Sequence, residues 1–130
     1  MKKAYRKTIN LFPSEFKCDV VITENFKFLD NLGLERYGLA EDAEPIRPDS
    51  CTAFITGINS QLKGKTVFVI CLRTFEERVI VHEILHLLYQ CSRETGWEMG
   101  ADSQEWQCLM LDYIFAQITD RKGYNATFTD

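Results

Sequence analysis

Histidine and proline are scarce in this chain, and positive charge is not in excess. Its 130 residues include two histidines and three prolines, and 19 acidic against 15 basic side chains give a formal net charge of -4. Nucleic-acid binding requires clustered lysine and arginine to neutralise phosphates. The composition therefore argues against a nucleic-acid partner.

Long hydrophobic runs and closely spaced cysteines are also missing. No apolar stretch approaches the length of a membrane span, and none of signal-peptide length follows residues 1–10. The five cysteines are dispersed, odd in number and free of any CxxC pair, which is typical of reduced thiols. We therefore expect one cytoplasmic domain over residues 1–130 with no membrane partner. The oligomeric state stays open.

The two histidines that are present lie four residues apart, with a glutamate directly after the first. On a helix, residues at this spacing project from one face, about 40° apart around the axis and about 6 Å along it. His82, Glu83 and His86 form the HExxH pattern of zinc peptidases. The pattern predicts His82 and His86 as zinc ligands and Glu83 as the general base that deprotonates a water molecule. The competing interpretation is two core histidines beside a solvated Glu83.

Local patterns predict that this run is helical. A capping box formed by Thr74 and Glu77 predicts a helix start, and the apolar spacing continues to about Arg93. A second helix is predicted from about 103 to 118 by its apolar stripe. The polar tail after Asp120 is predicted to be irregular.

The residues before the histidines favour strands. Segments 51–58 and 66–72 are rich in β-branched and apolar residues and are separated by turn-forming residues, which predicts a β-hairpin. A further strand is predicted at 18–23 and a helix at 24–32. The acidic, proline-containing stretch 38–50 is predicted to be a loop, more typical of a solvated connector than of a cleft border.

A third zinc ligand has to be a carboxylate or a thiolate, because the chain contains no third histidine. The second predicted helix offers four candidates on roughly one face: Asp102, Glu105, Cys108 and Asp112. We favour Glu105, whose side chain is long enough to reach a metal on a neighbouring helix, although it could instead complete a cap with Asp102. Cys108 would give a two-histidine, one-cysteine site, and Asp112 could orient a ligand imidazole.

The chain resembles the minimal gluzincin metallopeptidases, and in particular the small zinc peptidases encoded by bacteriophages and prophages. The resemblance rests on the HExxH run 82–86 and on 105–108, which matches a Glu-x-x-small pattern, and it covers about residues 51–118. Two positions depart from the family pattern. Cys108 stands where alanine is common, and Leu109 stands where related enzymes often carry an acidic residue.

The resemblance implies a zincin-like α+β fold, in which a small sheet with a hairpin packs against the HExxH helix and a C-terminal helix. It implies His82, His86 and Glu105 as ligands of Zn2+ and Glu83 as the catalytic base. The expected function is hydrolysis of peptide or protein substrates by a water molecule that Glu83 activates at zinc. For a phage-encoded chain, the compartment would be the cytoplasm of the bacterial host.

Two other functions stay open on the sequence. One is a zinc-binding interaction module of phage origin without peptidase activity, in which the metal stabilises a small fold. The other is a metal-free interaction protein. Tyr89, Tyr113 and Tyr124 are available to stabilise an oxyanion, and the sequence does not choose among them.

Overall fold

The structure, a computed structural model, describes five segments of the chain: 3–11, 16–24, 53–60, 65–95 and 104–129. Its strands are β1 (Lys3–Asn10), β2 (Lys17–Ile22), β3 (Ala53–Ser60), β4 (Lys65–Leu72) and β5 (Asn125–Thr129). Its helices are α1 (Glu77–Thr95) and α2 (Gln104–Thr119). The α+β class predicted from the sequence is confirmed.

The strands form one mixed sheet in the order β3-β4-β2-β1-β5. β2 and β4 run parallel, and the other neighbouring pairs run antiparallel. The predicted hairpin is confirmed, because β3 pairs with β4 from Ala53 opposite Leu72 to Ser60 opposite Lys65. The strand predicted at 18–23 corresponds to β2.

The predictions for the two ends of the sequence and for residues 24–50 have other outcomes. The irregular tail predicted after Asp120 is wrong, because β5 pairs with β1 along one edge of the sheet. No strand was predicted for β1, whose lysines and arginine hide the alternation of a half-buried strand. The helix predicted at 24–32 and the loop at 38–50 lie outside the described residues, except for Glu24, which is not helical.

Both helices pack against one face of the sheet around a shared hydrophobic core. Aligned registers put Cys18 opposite Phe68 and Val20 opposite Ile70, so the core residues of β2 and β4 share that face. The helices contribute apolar residues at helical spacing. The core members from the two helices are Ile80, Ile84, Leu87, Leu88, Cys91, Met110, Ile114 and Ile118.

Specific contacts hold the end of α2 in place. Buried Lys7 donates from Nζ to the carbonyl oxygens of Gln117 at 2.6 Å and Asp120 at 3.0 Å, where the last turn of a helix lacks internal partners. The Arg121 guanidinium lies 3.9 Å from the ring centroid of Phe75. Because Phe75 precedes α1 and Arg121 follows α2, this contact shows that the two packed helices run antiparallel.

Neither helix in the described part of the chain combines the length and the apolar content needed to cross a membrane.

Candidate metal centre

The histidines lie in the middle of α1, as predicted, but the helix begins differently. α1 starts at Glu77, and the carbonyl oxygen of Glu76 accepts from the amides of Val79 at 3.1 Å and Ile80 at 3.0 Å. Thr74 Oγ1 is buried and has no hydrogen-bond partner within the described structure. The predicted capping box is therefore wrong, although the predicted helix is present.

The two imidazoles are exposed and face each other. Nε2 of His82 and Nε2 of His86 are 3.2 Å apart, and the ring centroids are 4.8 Å apart with an interplanar angle of 70°. Two nitrogens bound to a tetrahedral zinc at 2.0–2.1 Å would be about 3.3–3.4 Å apart. The distance between the two Nε2 atoms is thus close to the distance expected in a two-histidine zinc chelate.

The contact between the imidazoles also has a metal-free explanation. When both rings are neutral, one Nε2–H can donate to the lone pair on the other Nε2. Zinc would need both lone pairs, so a metal and this shared proton compete for the same atoms.

Glu83, between the two histidines in sequence, is buried. It is 5% exposed, and its Oε2 has no hydrogen-bond partner within the described residues. Burial raises the pKa of this carboxyl group, while His82 and His86 act in the opposite direction. The alternative interpretation, two core histidines beside a solvated glutamate, is wrong, because the imidazoles are exposed and Glu83 is buried.

The third ligand is not assembled around the histidine pair. Glu105, the second residue of α2, is exposed, as are Cys108 and Asp112. Within the described ranges, no group of three or more His, Cys, Asp or Glu side chains is placed to hold a metal ion. Glu105 as a ligand therefore stays a prediction. The alternative, that Glu105 forms a helix cap with Asp102, falls on Asp102, which lies outside the described residues.

The described donor set fits part of a zinc site. Two imidazole nitrogens are spaced for one ion, and a buried carboxylate oxygen lacks a partner beside them. Neutral imidazoles are common zinc ligands, and an uncoordinated carboxylate is the group that deprotonates water in HExxH enzymes. These residues could hold zinc and a proton acceptor, and one further protein ligand would complete a catalytic coordination sphere.

The tyrosines considered for the oxyanion differ in availability. Tyr89 is exposed on α1, three residues after His86, and Tyr113 is exposed on α2. The Tyr124 hydroxyl donates to the carbonyl oxygen of Ile118 at 2.9 Å, near the end of α2 away from the histidine pair. Tyr124 is therefore already engaged in a structural contact.

One feature of this region was not recognised in the sequence. Val81, Leu85 and Tyr89 are exposed and lie four residues apart on α1, beside the histidines. The signal was present as a second apolar series next to the core series of the same helix. Periodicity alone could not separate the two, because α1 is apolar over much of its circumference.

A second polar cluster lies away from the histidines and is internally paired. Fully buried Asp19 accepts from Thr8 Oγ1 at 2.5 Å, and Arg6 Nη1 donates to the same Thr8 oxygen at 2.8 Å. Arg6 Nη1 is also 3.6 Å from Asp19 Oδ1. These contacts compensate a buried carboxylate across β1 and β2, which is a structural role.

No protein-family model, curated protein or solved structure shows a significant match to this chain.

Proposed function

We propose that this protein is a zinc-dependent metallopeptidase with a zincin-like active site. The observation that carries the proposal is a combination. Two exposed imidazoles have Nε2 atoms 3.2 Å apart, and the buried Glu83 between them in sequence has an Oε2 without a hydrogen-bond partner in the described residues. Leaving a carboxylate buried without a partner is costly, so such groups are concentrated where chemistry requires them.

His82 and His86 hold the metal in this proposal, and α2 supplies the third ligand. Glu105 is the residue that the motif predicts, and Cys108 and Asp112 are the alternatives on the same helix. Zinc, when bound, would polarise the scissile carbonyl and lower the pKa of a water molecule. Glu83 then accepts a proton from that water as its oxygen attacks the carbonyl carbon, and delivers the proton to the leaving amine as the C–N bond breaks.

In this proposal, an extended substrate adds to the sheet at β3. Within the described residues β3 is the outermost strand on its side of the sheet, and α1 packs against it. An edge strand has backbone N–H and C=O groups on one side that can pair with an added peptide strand. A peptide paired with β3 would therefore lie next to α1, the helix that carries the histidines.

Two measurements on purified protein test the proposal: zinc content after dialysis, and cleavage of a mixed peptide library followed by mass spectrometry. We expect one zinc per chain, lost in His82→Ala and His86→Ala. Glu83→Gln should keep the zinc and lose at least about 100-fold in cleavage rate. Glu77→Gln, which changes an exposed carboxylate on the same helix, should alter neither.

The third ligand is tested separately with Glu105→Gln, Cys108→Ser and Asp112→Asn. Removal of the true ligand should weaken zinc binding by at least about tenfold, whereas removal of the other two should have little effect. If none of the three changes zinc affinity, the third ligand does not come from these positions.

A zinc-binding interaction module without peptidase activity is the second candidate. It is favoured by one observation: the described residues provide two metal ligands and do not group a third with them. Stoichiometric zinc without any cleavage by the parent protein would support the module over the peptidase. Failure to bind zinc would reject both.

A further inference from the structure

The outer face of α1 carries an apolar stripe that the core does not use. Leu85 is 52% exposed and Tyr89 is 56% exposed, and Val81 is exposed one turn before them. The core residues of α1, such as Ile84 and Leu88, point toward the sheet. Large apolar side chains clustered on a surface mark binding sites more often than isolated ones do.

The stripe runs directly beside the histidine pair. Val81 precedes His82 and Leu85 precedes His86, so each apolar side chain is about 100° around the helix from an imidazole. Tyr89 follows His86 by three residues, which places it on the same face. A chain bound at the imidazoles therefore meets this stripe.

Positive charges bracket the stripe. Arg78 lies one turn before His82, Arg93 lies one turn after Tyr89, and both are exposed. Arg78 Nε lies 3.6 Å from Oε2 of Glu76, and the two side chains are 89% and 56% exposed, so solvent screens the pair strongly. Between the arginines, the carboxylate of Glu83 is buried.

We propose that this face of α1 selects the substrate: an extended peptide with large apolar side chains next to the scissile bond and a carboxylate toward each end. This inference rests on the proposed peptidase function. The arginines are 15 residues apart, which is about 22 Å along a helix, and about six or seven residues of extended peptide span that length. The carboxylates should therefore lie about three residues to either side of the scissile bond.

Peptide binding to zinc-loaded Glu83→Gln protein, followed by fluorescence anisotropy, tests the charge preference. Two labelled octapeptides share a central leucine–phenylalanine pair and carry either aspartate or lysine at positions 2 and 7, the third residue on each side of that bond. We expect the aspartate peptide to bind about tenfold more tightly at low salt. Adding Arg78→Glu and Arg93→Glu should reverse the preference, whereas adding Lys122→Glu, a charge reversal in the turn after α2, should not.

The apolar half of the inference is tested in the same assay. Adding Leu85→Ser and Tyr89→Ser should weaken both peptides by at least about tenfold, whereas Leu109→Ser, at an exposed position on α2, should have little effect. Equal affinity for the two peptides, or a preference that survives the arginine reversal, would overturn the charge assignment. Unchanged affinity in the serine variant would overturn the apolar assignment.

The two proposals fail in different ways. Library cleavage by the parent protein without these binding preferences would refute the docking face and leave the peptidase standing. Selective peptide binding by a protein that cleaves nothing would refute the peptidase and retain this face as a peptide-binding surface.

Discussion

At the scale of single residues, Glu83 combines burial with a missing partner. Its carboxylate is 5% exposed, and Oε2 accepts no hydrogen bond within the described structure. Burial raises the pKa of the group because the charged form is poorly solvated there. The metal-free protein is thus expected to be less stable at neutral pH with this carboxylate than with a neutral side chain of the same shape.

Replacing Glu83 by Gln should therefore stabilise the metal-free protein. We expect the thermal midpoint at pH 7, measured by circular dichroism with a chelator present, to rise by about 2–5 °C. Glu77→Gln, at an exposed position of the same helix, should shift it by less than about 1 °C. A lower midpoint in Glu83→Gln would show that the carboxylate makes a stabilising contact in the folded protein.

Tyr124 provides a second single-residue effect, this time on pH dependence. Its hydroxyl donates to the Ile118 carbonyl oxygen at 2.9 Å, and burial is the main cause that raises the pKa of the phenol. Unfolded tyrosine ionises near pH 10. Because the folded pKa lies above that value, the stabilisation from Tyr124 is complete below about pH 10 and is lost as the pH rises further.

Tyr124→Phe should make that dependence visible. At pH 8 the variant should be less stable than the parent by about 1 kcal/mol, since it lacks the hydrogen bond to Ile118. The difference should shrink between pH 8 and pH 11 in urea titrations, because only the unfolded parent can ionise this phenol, which favours unfolding of the parent as the pH rises. Tyr113→Phe, at an exposed position, is the control, and a constant difference for Tyr124→Phe across the range would contradict the assignment.

At the scale of elements, the start of α1 shows why a local motif can predict a helix correctly and its capping residue wrongly. Thr74 and Glu77 match a capping box in sequence, but the helix begins at Glu77 and the Thr74 hydroxyl is buried without a partner in the described structure. The chain must pass from β4 to α1 through residues 73–76, where Phe75 also packs against Arg121. Those tertiary contacts decide the backbone path at this junction.

Thr74→Val distinguishes a capping hydroxyl from a buried hydroxyl without a hydrogen-bond partner. A capping hydroxyl would cost about 1 kcal/mol when removed. A buried hydroxyl without a partner should instead leave the variant more stable by roughly 0.5–1 kcal/mol in urea unfolding, because its desolvation penalty disappears. Thr119→Val is the matched control: its Oγ1 donates to the Phe115 carbonyl oxygen at 2.8 Å, so this variant should lose stability.

At the scale of the whole molecule, the two ends of the chain meet in the sheet. β5 pairs with β1, and the turn before it contains Gly123 with a φ of 89°, a backbone conformation that favours glycine. A Cβ at this position would lie 3.4 Å from Cε of Lys7, the residue that holds the end of α2. The tail, the first strand and the second helix thus stabilise one another.

Deleting residues 123–130 should therefore destabilise the entire domain and not merely shorten it. We expect a thermal midpoint lower by several degrees and concentration-dependent association, because the edge of β1 loses its partner. Deleting Asp130 alone, which follows β5, should change neither property. Unaltered stability in the long deletion, seen by calorimetry, would show that β5 adds little to the fold.

Features that depend on residues close together in the sequence were predictable, whereas features that depend on contacts between distant residues were not. Helical geometry requires residues 82 and 86 to share a face, so the imidazole pair was predictable from five residues. The hairpin of β3 and β4 was predictable for the same reason, since local alternation and turn chemistry specify it. Local sequence patterns thus specify the helix, the hairpin and the pair of candidate ligands.

Long-range packing specifies which parts of α1 are buried and which strands complete the sheet. Glu83 is buried by its neighbours in the fold, and the polar segments β1 and β5 become strands because each finds a partner across the sheet. Contacts between residues distant in sequence leave no periodic signal in either segment alone. For that reason the sequence predicted the histidine pair directly, while the burial of its glutamate emerged from the packing.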